Sequence, residues 1–156
     1  RFSTQPHYVA RFESITNTTT DGSNLGRFDV WTSSINMFKD HPVTGVGIGQ
    51  WRTIYEASYR LPTENQHLYH AHNNFIQLLG EVGLLGLLGV LIFYGSIIVD
   101  NFVIWVKKRD PYSLCAMIAV ICYVFVFGQV EYTLDNSSGI RIMYFMLATM
   151  LQLRDN

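Results

Sequence analysis

Val82–Val99 reads VGLLGLLGVLIFYGSIIV, 18 consecutive residues without a charged side chain. As an α-helix it would be about 27 Å long, close to the hydrocarbon thickness of a bilayer. It extends through Val106 across a single charge, Asp100. A second uncharged run, Leu114–Val130 (LCAMIAVICYVFVFGQV), has 17 residues, and a third, Ile142–Leu153 (IMYFMLATMLQL), has 12. Arg141 precedes the third run and can snorkel to the interface. No run has a polar face, which argues against buried helices of a soluble bundle. The expected fold is an all-α membrane protein, a polytopic helical bundle with three C-terminal transmembrane helices at about 82–106, 112–130 and 140–153.

Outward from these runs, the chain divides near residue 73. Residues 1–73 hold six Lys/Arg, six Asp/Glu and all five histidines, whereas ten Lys, Arg, Asp or Glu follow residue 81. The averages over 156 residues, 49% hydrophobic and 15% charged, therefore mix two unlike halves. A net charge of −1 gives no basic footprint for nucleic acid, and the apolar content excludes disorder. Two cysteines make no disulfide framework; Cys115 and Cys122, seven apart, read as small packing residues.

Basic residues set the orientation. Lys107, Lys108 and Arg109 join the first two runs and Arg154 follows the third, while Glu131–Gly139 holds two acids and no base. The positive-inside rule puts the basic turn and the C-terminus in the cytoplasm, leaving residues 1–73 as an extracytoplasmic (periplasmic) helical loop segment. The chain opens on Arg1 with a polar segment and no signal-peptide pattern, so it reads as the C-terminal part of a longer multi-pass protein.

Within the outer segment, Asn24 is positioned to cap a helix over about Leu25–Asp40, with Leu25, Phe28, Trp31, Ile35 and Phe38 as one apolar stripe. His41-Pro42 should end it. Pro42–Gly49 (PVTGVGIG) reads as a tight chain reversal, Gln50–Arg60 as a second short helix, and Leu61–Tyr69 as a loop. Gly80, Gly83, Gly86 and Gly89 recur every three residues, a spacing suited to close packing against other helices in lipid.

Chemistry concentrates before the first span. His67, His70 and His72 raise a zinc reading, but the immediate run offers no cysteine or carboxylate. His72 suits a general base better, because the positive end of the following helix disfavours imidazolium and attracts an anionic leaving group. Asn73 or Asn74 can cap that helix. Arg27, Arg52 and Arg60 are candidate phosphate ligands, although chemistry alone favours a solvated surface charge for any one of them. Glu81, at the outer interface, could pair with an arginine.

Three pieces together resemble the O-antigen ligase / O-antigen polymerase family of bacterial membrane proteins. They are Gly26-Arg27-Phe28-Asp29-Val30-Trp31, then Pro42-Val43-Thr44-Gly45-Val46-Gly47-Ile48-Gly49, then His72-Asn73-Asn74-Phe75 running into Gly83-Leu84-Leu85-Gly86. The resemblance implies inverting, metal-independent glycosyl transfer without a cofactor, on the outer face of the bacterial cytoplasmic (inner) membrane. Its donor would be a glycan on undecaprenyl diphosphate, and its acceptor a sugar hydroxyl of the lipid A core or a growing repeat unit, in cell-surface (O-antigen, lipopolysaccharide) biosynthesis. It implies His72 as general base and Arg27 as diphosphate ligand; Arg52, Arg60, Asn73 and Glu81 are further substrate-binding candidates. The competing functional readings are a non-catalytic membrane transporter or export subunit with an outer binding lid, and a metal-binding outer domain.

Overall fold

The structure is a computed structural model that describes residues 22–62, 64, 68–135 and 137–155. His67 lies outside the described residues, as does the side chain of Asn24. The described residues form helices and loops and no strand. Helix α1 is Gly22–Asp40; α2 is the single turn Trp51–Ile54, continued by a π-turn Tyr55–Tyr59; α3 is Asn74–Lys108. Helix α4, Pro111–Val120, continues through a π-segment Ile121–Val126 and a 3-10 turn Phe127–Gln129, and α5 is Ser137–Asp155.

Two helical segments, Asn74–Lys108 and Pro111–Gln129, are long and apolar enough to cross a membrane. Only 11% of the most apolar window of the first is buried. Leu85 and Ile92 are 66% and 71% exposed, so this helix turns apolar surface outward as a lipid-facing span does. The apolar stretch of α5, Ser138–Leu153, is shorter. Cys115 and Cys122 are free and exposed on the outward surface, not packed inside as expected.

Local chemistry sets the ends of the hairpin. Asn73 caps α3: its side chain accepts from the amides of Phe75 (2.9 Å) and Ile76 (3.1 Å). Arg109 closes α3 in the left-handed region, with its N–H donating to Trp105 O. Asp110 then caps α4 by accepting from the Ser113 amide, and Pro111 occupies the first turn. The two helices pack around Tyr94, Ala116, Val120 and Val124, with Met143 and Leu147 from α5.

At the other end of the hairpin, the π-segment frees a carbonyl. Fully buried Asn74 donates to Val124 O (3.0 Å) and Thr133 Oγ1 (2.8 Å) and accepts from the Thr133 amide (2.8 Å). Asn73 donates to Gln129 O. The start of α3 is thereby tied to residues 124–133, which brings a loop 59 positions later in sequence beside His72.

The outer segment has its own core of Val30, Met37, Trp51, Tyr55 and Ala71. This corrects the expected stripe on α1. Leu25 and Phe28 are 46% and 50% exposed, and the buried face is Val30, Ser33, Ser34 and Met37. Apolarity alone misread it because both serines are buried as hydrogen-bond donors, Ser34 to Val30 O and Ser33 to Tyr59 O. Ser33 thus joins α1 to the π-turn.

The helix break at the start of the first span explains the glycines. Gly83, at φ 64° and ψ −162°, interrupts α3. In a continuous helix the amides of Leu84 and Leu85 would bond to the carbonyls of Gly80 and Glu81. Instead those amides donate to Pro42 O (2.9 Å) and Val43 O (3.1 Å), and the two carbonyls accept from Val46 (3.0 Å) and Gly47 (2.8 Å). The Pro42–Gly47 loop supplies a substitute for each partner the break removes. Gly80 and Gly83 therefore admit other parts of this chain: Ser34 O of α1 and Trp51 of α2 at Gly80, and the Val43–Gly45 backbone at Gly83. At Gly89 an added Cβ would meet nothing within 4 Å among the described residues.

Candidate active site

The site is built on the three residues before α3. Ala71 is held from both sides: its carbonyl accepts from the Trp31 indole (2.7 Å) and its amide donates to Gln77 Oε1 (2.8 Å). Asn73 is held as the helix cap. Between these anchors His72 takes φ 49°, a left-handed conformation that histidine tolerates better than most residues but that costs energy. The turn directs its ring at Glu131, with Nδ1 3.2 Å from Oε2.

His70 shares the same carboxylate, with Nε2 3.4 Å from Glu131 Oε1. Its Nδ1 accepts from the His72 amide at 3.2 Å, so its proton sits on Nε2. The two imidazole centroids are 4.1 Å apart. Burial and the neighbouring His72 lower the His70 pKa, against the opposing pull of Glu131. Burial opposes charge on the Glu131 carboxyl, but the Tyr132 amide and both imidazoles outweigh it and hold its pKa below the usual range. An ionised Glu131 accepting from His72 Nδ1–H leaves Nε2 as the lone-pair nitrogen.

Glu131 is the member of this cluster that sequence reasoning missed. A signal existed, since the expected topology puts the Glu131–Gly139 loop on the same side as every histidine. What a single sequence lacked was a reason to pair one acid with one histidine across 59 positions. With Glu131 added, the zinc reading gains its missing carboxylate: ligand atoms of His70, His72 and Glu131 lie within 4.8 Å of one another, and such a set can hold a metal.

The other candidate residues are distributed around this centre. Arg27 lies one helical turn before Trp31, on the same side of α1 as the indole that holds Ala71. Arg52 pairs with Glu56 (3.1 Å), stacks 4.1 Å over the Tyr69 ring and lines a polar cavity beside His70. Arg60 is taken up by Glu64, its Nε 3.8 Å from the buried carboxylate, away from that cavity. Among the described residues Glu81 pairs with no arginine, unlike the pairing the sequence suggested. It accepts from the Gly49 amide (2.6 Å), Gln77 (3.0 Å) and the Tyr132 hydroxyl (3.4 Å), which ties the glycine loop, α3 and the 131–135 loop together.

The fold and site thus define an all-helical protein with two membrane-length helices and a histidine–carboxylate cluster at their shared end. Residues 3–91 match the sequence profile of the O-antigen ligase family, and the chain belongs to that family. It is also similar to the exopolysaccharide production protein ExoQ of Rhizobium meliloti (strain 1021), 27% identical over 136 residues. That match covers 80% of this chain and 30% of ExoQ, so the chain spans about a third of its relative's length. No solved structure matches. Each of the three sequence pieces that carried the resemblance has a structural role. Trp31 of the first holds the residue before His72, and the loop of the second fills the break in the helix that begins with the third.

Proposed function

We propose that the complete protein is an inverting, metal-independent glycan ligase or polymerase of cell-surface polysaccharide synthesis. It transfers a saccharide from undecaprenyl diphosphate to a sugar hydroxyl at the outer, periplasmic face of the inner membrane, with α5 as a third span. The observation that carries this reading is His72, Nδ1 committed to Glu131 and Nε2 without a hydrogen bond among the described residues. Nε2 takes the proton of the acceptor hydroxyl as its oxygen attacks the anomeric carbon. The carbon–oxygen bond to the diphosphate breaks, undecaprenyl diphosphate leaves, and a single displacement inverts the centre. Arg27 and the N-terminal dipole of α3 offset the leaving group's charge.

Replacing Arg27 with alanine should reduce transfer about 10²-fold or more, and lysine should restore only part of it, since an ammonium lacks the bidentate fork. Glycan transfer by membranes carrying each variant measures this; wild-type transfer by Arg27→Ala would remove Arg27 from the mechanism. The cluster of His70, His72 and Glu131 favours a second reading in which a metal activates the acceptor. Activity that survives exhaustive chelation supports the base mechanism, whereas loss on chelation with recovery on added zinc supports the metal. A transporter reading has less support: it predicts paired charges along a path, and residues 82–106 contain the single, exposed Asp100.

A further inference from the structure

Beside the histidine pair lies a cavity of about 240 Å³, walled by the end of the glycine loop, α2, α3 and the 131–135 loop. Tyr69, Tyr132, Glu81, Asp135, Arg52 and His70 bring the groups that matter to it. We propose that this cavity is the acceptor subsite and takes one neutral pyranose ring, a proposal that rests on the glycan-transfer reading above.

Three observations lead there. The volume is below the roughly 300–1,000 Å³ of pockets for drug-sized ligands, so it suits a single ring rather than a stretch of chain. Its charge is wrong for a diphosphate, because Glu81 and Asp135 face it against Arg52 alone, and Arg52 is already paired with Glu56. Carboxylates and a tyrosine hydroxyl are instead suited to vicinal sugar hydroxyls, which carboxylates bind as acceptors only. The location is also right. His70 lines the cavity, its ring 6.0 Å from Tyr132 on one side and 4.1 Å from His72 on the other. A sugar seated here meets His70 directly, with His72 behind that ring at the edge of the cavity, while Arg27 lies outside the lining and remains for the donor.

Glu81 also holds the loop, so Tyr69→Ala and Asp135→Asn are the informative variants; Asp135 and Tyr69 are both exposed at the mouth. The probe is a panel of methyl pyranosides (gluco, galacto, manno, rhamno) in saturation-transfer NMR with the complete, detergent-solubilised protein. At least one should bind, inorganic pyrophosphate should not displace it, and each variant should weaken it about tenfold, the worth of one charge-assisted hydrogen bond or ring contact. Displacement by pyrophosphate, wild-type binding by both variants, or no binding by any pyranoside would overturn the subsite. His72→Ala separates the two readings: sugar binding that persists alongside normal transfer sinks the base and leaves the subsite, whereas lost transfer with retained binding supports both.

Discussion

Replacing His72 with alanine should lower glycan transfer by about 10²–10⁴-fold, the range that a positioned general base contributes. The protein should still insert in the membrane and bind acceptor, because the ring makes one side-chain hydrogen bond, to Glu131, while the neighbouring fold is held by Ala71, Asn73 and Asn74. In the proposed mechanism Glu131 acts through His72, as a positioning residue. Glu131→Gln keeps a hydrogen-bond acceptor but removes the charge that steadies the imidazolium, so kcat should fall about 10–100-fold. KM for donor and acceptor should stay within about twofold, as expected when only transition-state stabilisation is lost. Glu131→Asp should recover part of the rate. Normal kcat in Glu131→Gln, or a rise in KM alone, would show that the carboxylate merely holds the loop.

How much of this was legible depended on the range over which each residue acts. The uncharged run from Val82, the stop at His41-Pro42 and a cap at Asn73 or Asn74 are local physics, and helices at Gly22–Asp40 and Asn74–Lys108 agree with them. Where polar groups are buried, hydropathy misleads: the α1 face was misassigned because Ser33 and Ser34 lie inside. Partners distant in sequence were unreadable. His72 alone suggested a base, and its place before a membrane helix gave it an electrostatic reason. Glu131, Tyr132 and Asp135 reach the site through ties distant in sequence: Asn74 to the Val124 carbonyl in the π-segment after α4, Asn73 to Gln129, and Tyr132 to Glu81. The glycine spacing was visible, but its meaning was not, since both helix packing and a helix break call for small residues.

That break carries the second large effect. Gly83→Ala should destabilise the complete protein by about 3 kcal/mol or more, because two costs coincide. At φ 64° and ψ −162° the backbone lies in a region open essentially to glycine alone, and holding another residue there costs about 1–3 kcal/mol. An added Cβ would also stand 2.6 Å from Gly45 N and from the Val43 carbonyl, backbone atoms that cannot swing aside. Gly45→Ala should behave alike, its Cβ overlapping the Glu81–Val82 peptide at φ 63°. Relief comes by straightening α3, since alanine favours the helix and Leu84 and Leu85 can then bond the carbonyls of Gly80 and Glu81. The Pro42–Gly47 loop would lose all four of its bonds to α3 at once, and with it the Gly49 amide that donates to Glu81. Hydrogen exchange should therefore quicken at the Val46, Gly47 and Gly49 amides while Leu84 and Leu85 stay protected, and thermal unfolding should move down. Gly89→Ala is the control, a helical site with nothing within 4 Å, where alanine should be neutral or slightly stabilising. Equal stability of the two variants would mean that the loop does not hold the break. Lower transfer in Gly83→Ala with loop exchange accelerated and His72 intact would tie the glycine motif to catalysis through the wall of the cavity, rather than through contact with substrate.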